Sequence, residues 1–224
     1  MKQKTRKKLT GMLLLAMLGG CLHVTAQTES VTATCPDENH PHLIDLGLPS
    51  GTKWACCNVG ASAPEQYGKY YAWGETDPKS VYDLETYKHH DGSDYADLGS
   101  DIAGTTYDAA TANWKAPWRL PTLKQVKELL NNCTHTYTTQ NDVKGRLFVG
   151  PNGATIFIPA AGYRWDEGID VAGSVGYYWT SSVDASDPDY ACYLSFGSAT
   201  AYWGTSGDRY NGYTVRPVQN LPKE

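Results

Sequence analysis

Trp118-Arg119-Leu120-Pro121-Thr122-Leu123-Lys124-Gln125-Val126-Lys127-Glu128-Leu129-Leu130-Asn131-Asn132 carries the one clear helical signal in this chain. Leu123, Val126, Leu129 and Leu130 recur at the spacing that gives a helix one apolar face. Thr122 precedes the first periodic residue and Gln125 follows three positions later, the pattern of a capping box. Asn131 and Asn132 suit the end of the helix. Two runs then read as strands, Arg146-Leu147-Phe148-Val149 and Thr155-Ile156-Phe157-Ile158, joined across Pro151-Asn152-Gly153 as a hairpin.

Upstream, Leu43-Ile44-Asp45-Leu46 and Lys53-Trp54-Ala55-Cys56-Cys57-Asn58-Val59 form a second expected hairpin around Pro49-Ser50-Gly51. Tyr70-Tyr71-Ala72-Trp73 is a short aromatic strand candidate. Residues 76–104 are polar and aperiodic, and a segment of that length is usually functional or mobile. Asp108-Ala109-Ala110 and Ala112 favour a short helix from Tyr107 to Asn113. Downstream, strands are expected at Gly176–Ser181, Ala191–Phe196, Thr200–Trp203 and Tyr213–Val218. No tandem repeat of fixed period is visible. The expected fold class is therefore α+β: one or two helices packed on several short antiparallel sheets, with long loops.

The amino terminus reads as an export signal. Lys2, Lys4, Arg6, Lys7 and Lys8 precede an apolar run, Leu9–Leu18, that is shorter than the roughly 20 residues a membrane-spanning helix needs. Leu18-Gly19-Gly20-Cys21 has the form of a bacterial lipobox, which makes residues 1–21 a lipoprotein signal with Cys21 as the lipidated residue. Val24-Thr25-Ala26 offers a competing site for ordinary signal peptidase, which would leave the protein secreted or periplasmic. Residues 22–41 are polar and read as a tether ahead of a domain spanning residues 42–221. Leu22 and His23 follow the cysteine without an acidic cluster, which leaves periplasmic against outer-surface display open.

Without the five basic residues of the signal, 19 Lys and Arg become 14, against 24 Asp and Glu. No basic run survives, which argues against nucleic acid, and against membrane contact other than through the lipid anchor. Five cysteines remain besides Cys21. Cys56 and Cys57 are adjacent and would face opposite sides of a strand, so one could reach Cys133 and the other Cys192, with Cys35 left over. Pairing does not follow from sequence, and buried thiols are the alternative.

Several blocks occur in order: Leu48-Pro49-Ser50-Gly51-Thr52-Lys53-Trp54-Ala55, Tyr70-Tyr71-Ala72-Trp73-Gly74-Glu75-Thr76, Trp118-Arg119-Leu120-Pro121-Thr122, Ile158-Pro159-Ala160-Ala161-Gly162, Tyr178-Trp179-Thr180-Ser181-Ser182 and Gly212-Tyr213-Thr214-Val215-Arg216-Pro217-Val218. With Asn58-Val59-Gly60-Ala61 and Gly150-Pro151-Asn152-Gly153, they make residues 43–218 resemble the Fibrobacter succinogenes major paralogous domain family, found in secreted and surface proteins of Bacteroidetes-type bacteria. The resemblance implies a C-type-lectin-like domain, related to formylglycine-generating enzymes and to retroelement-diversified receptors. In those receptors the last stretch of the domain, here Gly176–Gln219, presents the ligand face. Trp179 would then be a core residue, and Arg216 a structural one that pairs with a carboxylate or caps loop carbonyls.

The carboxy-terminal third holds eight of the 16 tyrosines, interleaved with Asp, Ser, Asn and Gly. This composition suits binding surfaces, because a tyrosine offers a flat apolar face and a polar tip at low entropic cost. The expected ligand-binding residues are Tyr190, Tyr193, Tyr202, Trp203, Tyr210, Asn211 and Tyr213, facing a protein or glycan. Asp184, Ser186, Asp187 and Asp189 could supply oxygens to calcium, but the spacing is not that of an EF-hand and Pro188 interrupts it. A solvated acidic loop is the expectation, and no metal or cofactor is expected. His89 and His90 read as exposed loop histidines. No nucleophile elbow, zinc-protease motif or phosphate loop is present, and no catalytic residue is expected. The reading is an exported cell-envelope binding protein, an outer-membrane lipoprotein. Its rivals are a structural or adhesive envelope component and a carbohydrate-active or sulfatase-modifying-like enzyme.

Overall fold

Strand β1 (Leu43–Asp45) pairs antiparallel with β2 (Thr52–Ala55), placing Ile44 opposite Trp54. The turn between them is held by Gly51 N–H donating to Leu48 O at 2.9 Å, with Gly51 at φ 73°, a conformation that favours glycine. The computed structural model describes residues 42–220, which lie in one compact unit. The expected signal, Cys21, the tether, Cys35 and residue 221 lie outside the described residues.

After β3 (Tyr70–Tyr71) comes α1 (Ala109–Trp114), capped by the buried Asp108, whose carboxylate accepts from the backbone of Ala110 and Thr111. Helix α2 (Leu123–Asn132) starts at the expected capping box: Thr122 accepts from Gln125 N–H, and Gln125 reaches back to Thr122 N–H at 2.9 Å. It buries Val126 and Leu129. Strands β4 (Thr134–Gln140), β5 (Val143–Val149) and β6 (Thr155–Pro159) form a three-stranded antiparallel sheet directly after it. The β5–β6 hairpin pairs Phe148 with Ile156 across the expected turn. Sequence reading did not expect β4. Its Thr-rich alternation carries little apolar signal, and pairing with β5 is what makes it a strand.

Strands β7 (Tyr163–Trp165) and β8 (Gly168–Asp170) make a small hairpin. Strands β9 (Gly176–Val183), β10 (Tyr190–Phe196) and β11 (Ala201–Asp208) then form a meander. The last segment divides into β12 (Tyr213–Thr214) and β13 (Val218–Asn220). Strand order in the five-stranded sheet is β11-β10-β9-β12-β3, and β13 joins β2 in the sheet β1-β2-β13. One expected strand is thus split between two sheets, because Pro217 has no N–H to donate to a ladder and instead accepts from Ala55 N–H at 2.9 Å.

Two main cores result. One gathers Trp73, Trp114, Trp118, Trp179 and Tyr213; the other gathers Trp54, Val126, Leu129, Phe148, Tyr178 and Leu194 between α2 and the sheets. Two buried indoles tie elements together: Trp73 Nε1 donates to Thr180 O and Trp179 Nε1 to Tyr71 O.

The possible pairing of Cys56 and Cys57 with Cys133 and Cys192 is not formed: no disulfide joins these four residues, and the alternative of buried thiols holds for them. Cys56 and Cys57 belong to the tryptophan core, whereas Cys133 caps α2 in the other core. Cys192 lies on β10 with its thiol donating to Val183 O at 3.4 Å. Burial pushes the Cys133 and Cys192 thiols up to about 11, which keeps them protonated and inert.

Arg216, buried in the seam, donates to Ala55 O, Cys56 O and Asn58 Oδ1 at 3.1, 2.6 and 2.7 Å. Replacing it by alanine strands these acceptors, so Arg216→Ala is expected to cost about 3 kcal/mol or more in urea unfolding. Thr122→Ala, which removes one exposed-side cap, should cost about 1 kcal/mol by the same measurement.

Candidate functional site

Period-two alternation sorts the aromatic residues of the five-stranded sheet. Ser195 on β10 faces Tyr177 on β9 and Tyr202 on β11, while Tyr193 faces Trp179 and Gly204. These residues therefore share one face, and Tyr178, Leu194 and Trp203 share the other. Small residues shape the first face. A side chain at Gly204 would collide with the Tyr193 ring, and one at Gly207 would meet both Trp179 and Tyr193 within 3.0 Å. The Tyr193 ring is thus laid across β11 by the absence of side chains there.

Tyr213 on β12 forms the floor. It stacks on Trp179 at 4.0 Å between centroids, and the rings of Tyr163, Tyr177 and Tyr193 surround it at 5.9, 5.2 and 5.6 Å. Tyr163 arrives from β7, whose neighbour Arg164 exchanges two backbone hydrogen bonds with Gly212. Trp165, two residues on, lies on the same side of β7 and is 55% exposed. The result is an aromatic strip running from Trp165 and Tyr163 over Tyr177 and Tyr193 to Tyr202, which is 46% exposed. Its polar borders are Asp170, Ser195, Ser206 and Asp208. Burial raises the phenol pKa values of Tyr163, Tyr177 and Tyr193, and also raises that of the Asp208 carboxyl, against a lowering contribution from Asn211. The cations that cover aromatic rings elsewhere, Lys79, Lys127, Arg164 and Arg209, leave this strip open.

The structure divides the seven residues expected to bind ligand. Tyr193 and Tyr202 lie on the strip. Tyr213 and Asn211 are buried, Tyr213 as the strip's floor and Asn211 donating to Asp208 Oδ2 at 3.3 Å. Trp203 lies on the opposite face, beside α2, with Lys127 Nζ 3.7 Å from its ring centre. Tyr190 sits at the far end of β10 opposite Asp208, and Tyr210 packs against a separate cluster of Tyr70, Tyr82 and Tyr87. Adjacent strand residues such as Tyr202 and Trp203 cannot share a face, and composition alone carries no strand register. Tyr163, Trp165 and Tyr177, which lie on the strip, are not among those seven. The block order gave no sign that β7 returns to lie beside β12.

Other candidate groups are absorbed locally. Asp184 Oδ1 accepts from Ser186 N–H and Oγ, and Asp187 accepts from Asp189 N–H. Among the described residues no three His, Cys, Asp or Glu side chains are grouped to hold a metal. His89 is half-buried against Tyr87 and Tyr107, and His90 packs on Tyr95, so the two rings do not converge. Glu75 is buried and paired with Lys79 at 3.0 Å. Comparison with protein-family models, curated proteins and solved structures returned no match.

Burial holds the Tyr87 and Tyr213 phenols well above the ordinary value of 10.0 and pushes Tyr178 up to about 12. A phenol with a raised folded pKa contributes stability that is whole below its unfolded value and is lost as pH rises through the folded one. Phenolate absorbance should therefore rise in two stages. The later stage, from the buried phenols, should come at higher pH and coincide with loss of the near-ultraviolet tryptophan signal. A single stage with that signal intact would contradict the packing described.

Proposed function

We propose that this chain is an exported binding protein of the cell envelope, with a C-type-lectin-like domain that holds a ligand on the strip Trp165–Tyr163–Tyr177–Tyr193–Tyr202. The observation that carries the reading is the strip itself. Its rings are aligned by four different strands, open at both ends and backed by the Trp179–Tyr213 stack. Flat, pre-positioned aromatic faces bordered by hydroxyl and carboxylate groups suit a polyhydroxylated surface. Sugar C–H groups can lie on the rings while hydroxyls reach Asp170, Ser195, Ser206 and Asp208. A glycan is accordingly the favoured ligand, and a protein epitope is the alternative for the same face. The resemblance to the Fibrobacter succinogenes major paralogous domain family supports both the lectin-like fold and the location. The reading involves binding without turnover, with no catalytic residue or cofactor assigned.

Electrophoresis of the purified mature chain through gels containing soluble polysaccharides (mannan, xylan or laminarin) tests the reading. Retardation is expected with at least one of them. Tyr202→Ala and Trp165→Ala should each weaken it about tenfold, corresponding to a loss of about 1.4 kcal/mol per stacking contact. Trp203→Ala, on the opposite face, should leave it unchanged. Retardation that survives loss of both strip residues would remove the assignment.

Exposed apolar residues on both sides of the β7–β8 hairpin and just after it, Trp165 on one side, Ile169 on the other and Val171, favour a second reading, an assembling envelope component. Concentration-dependent association without any ligand, abolished by Ile169→Asp, would support it. On the anchoring proposal, Cys21→Ser should move the protein from the membrane to the soluble fraction. A variant that stays with membranes would remove lipidation from the account.

A further inference from the structure

The long polar segment 76–104 and the acidic turn between β9 and β10 are both left unused by the aromatic strip, and they meet around one cavity of about 460 Å³. Its walls include Trp73, Leu98 and Val183. Its charged lining consists of Arg209, Asp184 and Asp97. None of these residues belongs to the strip.

Arg209 is the unusual member. It is 1% exposed, yet no carboxylate lies within ion-pair distance of it among the described residues. Nε donates to Tyr87 Oη, and the two terminal nitrogens donate to Pro188 O and Ala96 O, at 2.9–3.0 Å. The rings of Trp73, Tyr95 and Tyr87 surround it at 4.8, 5.3 and 5.6 Å. These contacts use three of five N–H donors and neutralise no charge. A buried cation without a counter-ion is costly, on the order of several kcal/mol, and an anionic group entering the cavity would relieve that cost. Asp184 stands on the same lining, largely buried. Burial raises its carboxyl pKa, but hydrogen bonds from Ser186 outweigh this and keep it ionised. Asp97 adds a second carboxylate at the rim. A simple anion would meet repulsion from both aspartates, and a simple cation would meet Arg209. The lining matches a ligand that carries both charges and an apolar body.

We propose that this cavity binds a small zwitterion, a free α-amino acid or short peptide with both termini unblocked. Its carboxylate lies toward Arg209, its ammonium toward Asp184 and Asp97, and its apolar side chain against Trp73 and Leu98. The volume accommodates either length of ligand.

Trp73 lines the cavity, so intrinsic tryptophan fluorescence of the purified mature chain reports occupancy. L-Leucine and alanyl-leucine are titrated beside N-acetyl-L-leucine and L-leucinamide. A saturable change is expected with at least one zwitterion, and at least tenfold weaker binding of the two blocked forms. The tighter of leucine and alanyl-leucine identifies the source. Ala185→Trp fills the cavity from an exposed rim position and should abolish the response with the melting temperature unchanged; should Arg209→Lys, which should weaken it, fail to fold, Ala185→Trp decides alone. Tyr202→Ala, on the separate strip, should leave leucine binding intact, so failure of either site is distinguishable from failure of the other. The proposal is overturned if neither zwitterion gives a saturable change, if the blocked forms bind equally well, or if Ala185→Trp binds like the parent.

Discussion

The Arg216 guanidinium is the point on which the architecture turns. Its donors are spent on the carbonyls of Ala55 and Cys56 and on Asn58, more than 150 residues earlier in the chain. That contact holds the last segment against the end of β2. Immediately before it, Tyr213 and Thr214 pair with β3 and β9; immediately after it, Val218–Asn220 pair with β2. Three residues of chain, 215–217, therefore join two sheets, with Val218 also exchanging backbone hydrogen bonds with Arg119 just ahead of α2. A lysine could not satisfy such a set, because a single ammonium lacks the planar fork of donors.

The seam also explains why the aromatic face is rigid. Tyr213 is placed by backbone pairing on both sides, so its ring is a fixed floor. The surrounding tyrosines are oriented by contact with it rather than by their own loops. Gly204 and Gly207 complete the arrangement from the edge strand by leaving room for Tyr193 and Trp179. A surface assembled this way would lose little conformational entropy to a ligand of the kind proposed, since packing already orders the rings.

Buried charge is handled in two ways. Glu75 is matched by Lys79 and by the backbone N–H of Lys88, and forms a closed structural pair. Arg209 is held by neutral oxygens and ring faces, with its charge unmatched beside a cavity. Arg146 is likewise buried against neutral partners, His135 and Gly197 O, so it is the adjoining cavity that sets Arg209 apart.

The amino-acid sequence by itself determined the local elements whose signals are short-range. Thr122 and Gln125 define the start of α2, Asp108 lies beside the start of α1, and the runs around Pro151-Asn152-Gly153 define the β5–β6 hairpin. Each depends on residues within a few positions of one another, and together they yield the α+β class. The tertiary structure alone decided which tyrosines share a face, because that depends on strand register and on β7 returning to lie beside β12. It also decided that Tyr213 is floor rather than surface, that Cys56, Cys57, Cys133 and Cys192 are not bonded to one another, and that Arg209 lines a cavity. These outcomes rest on pairings between residues far apart in the chain, and local spacing carries no information about them.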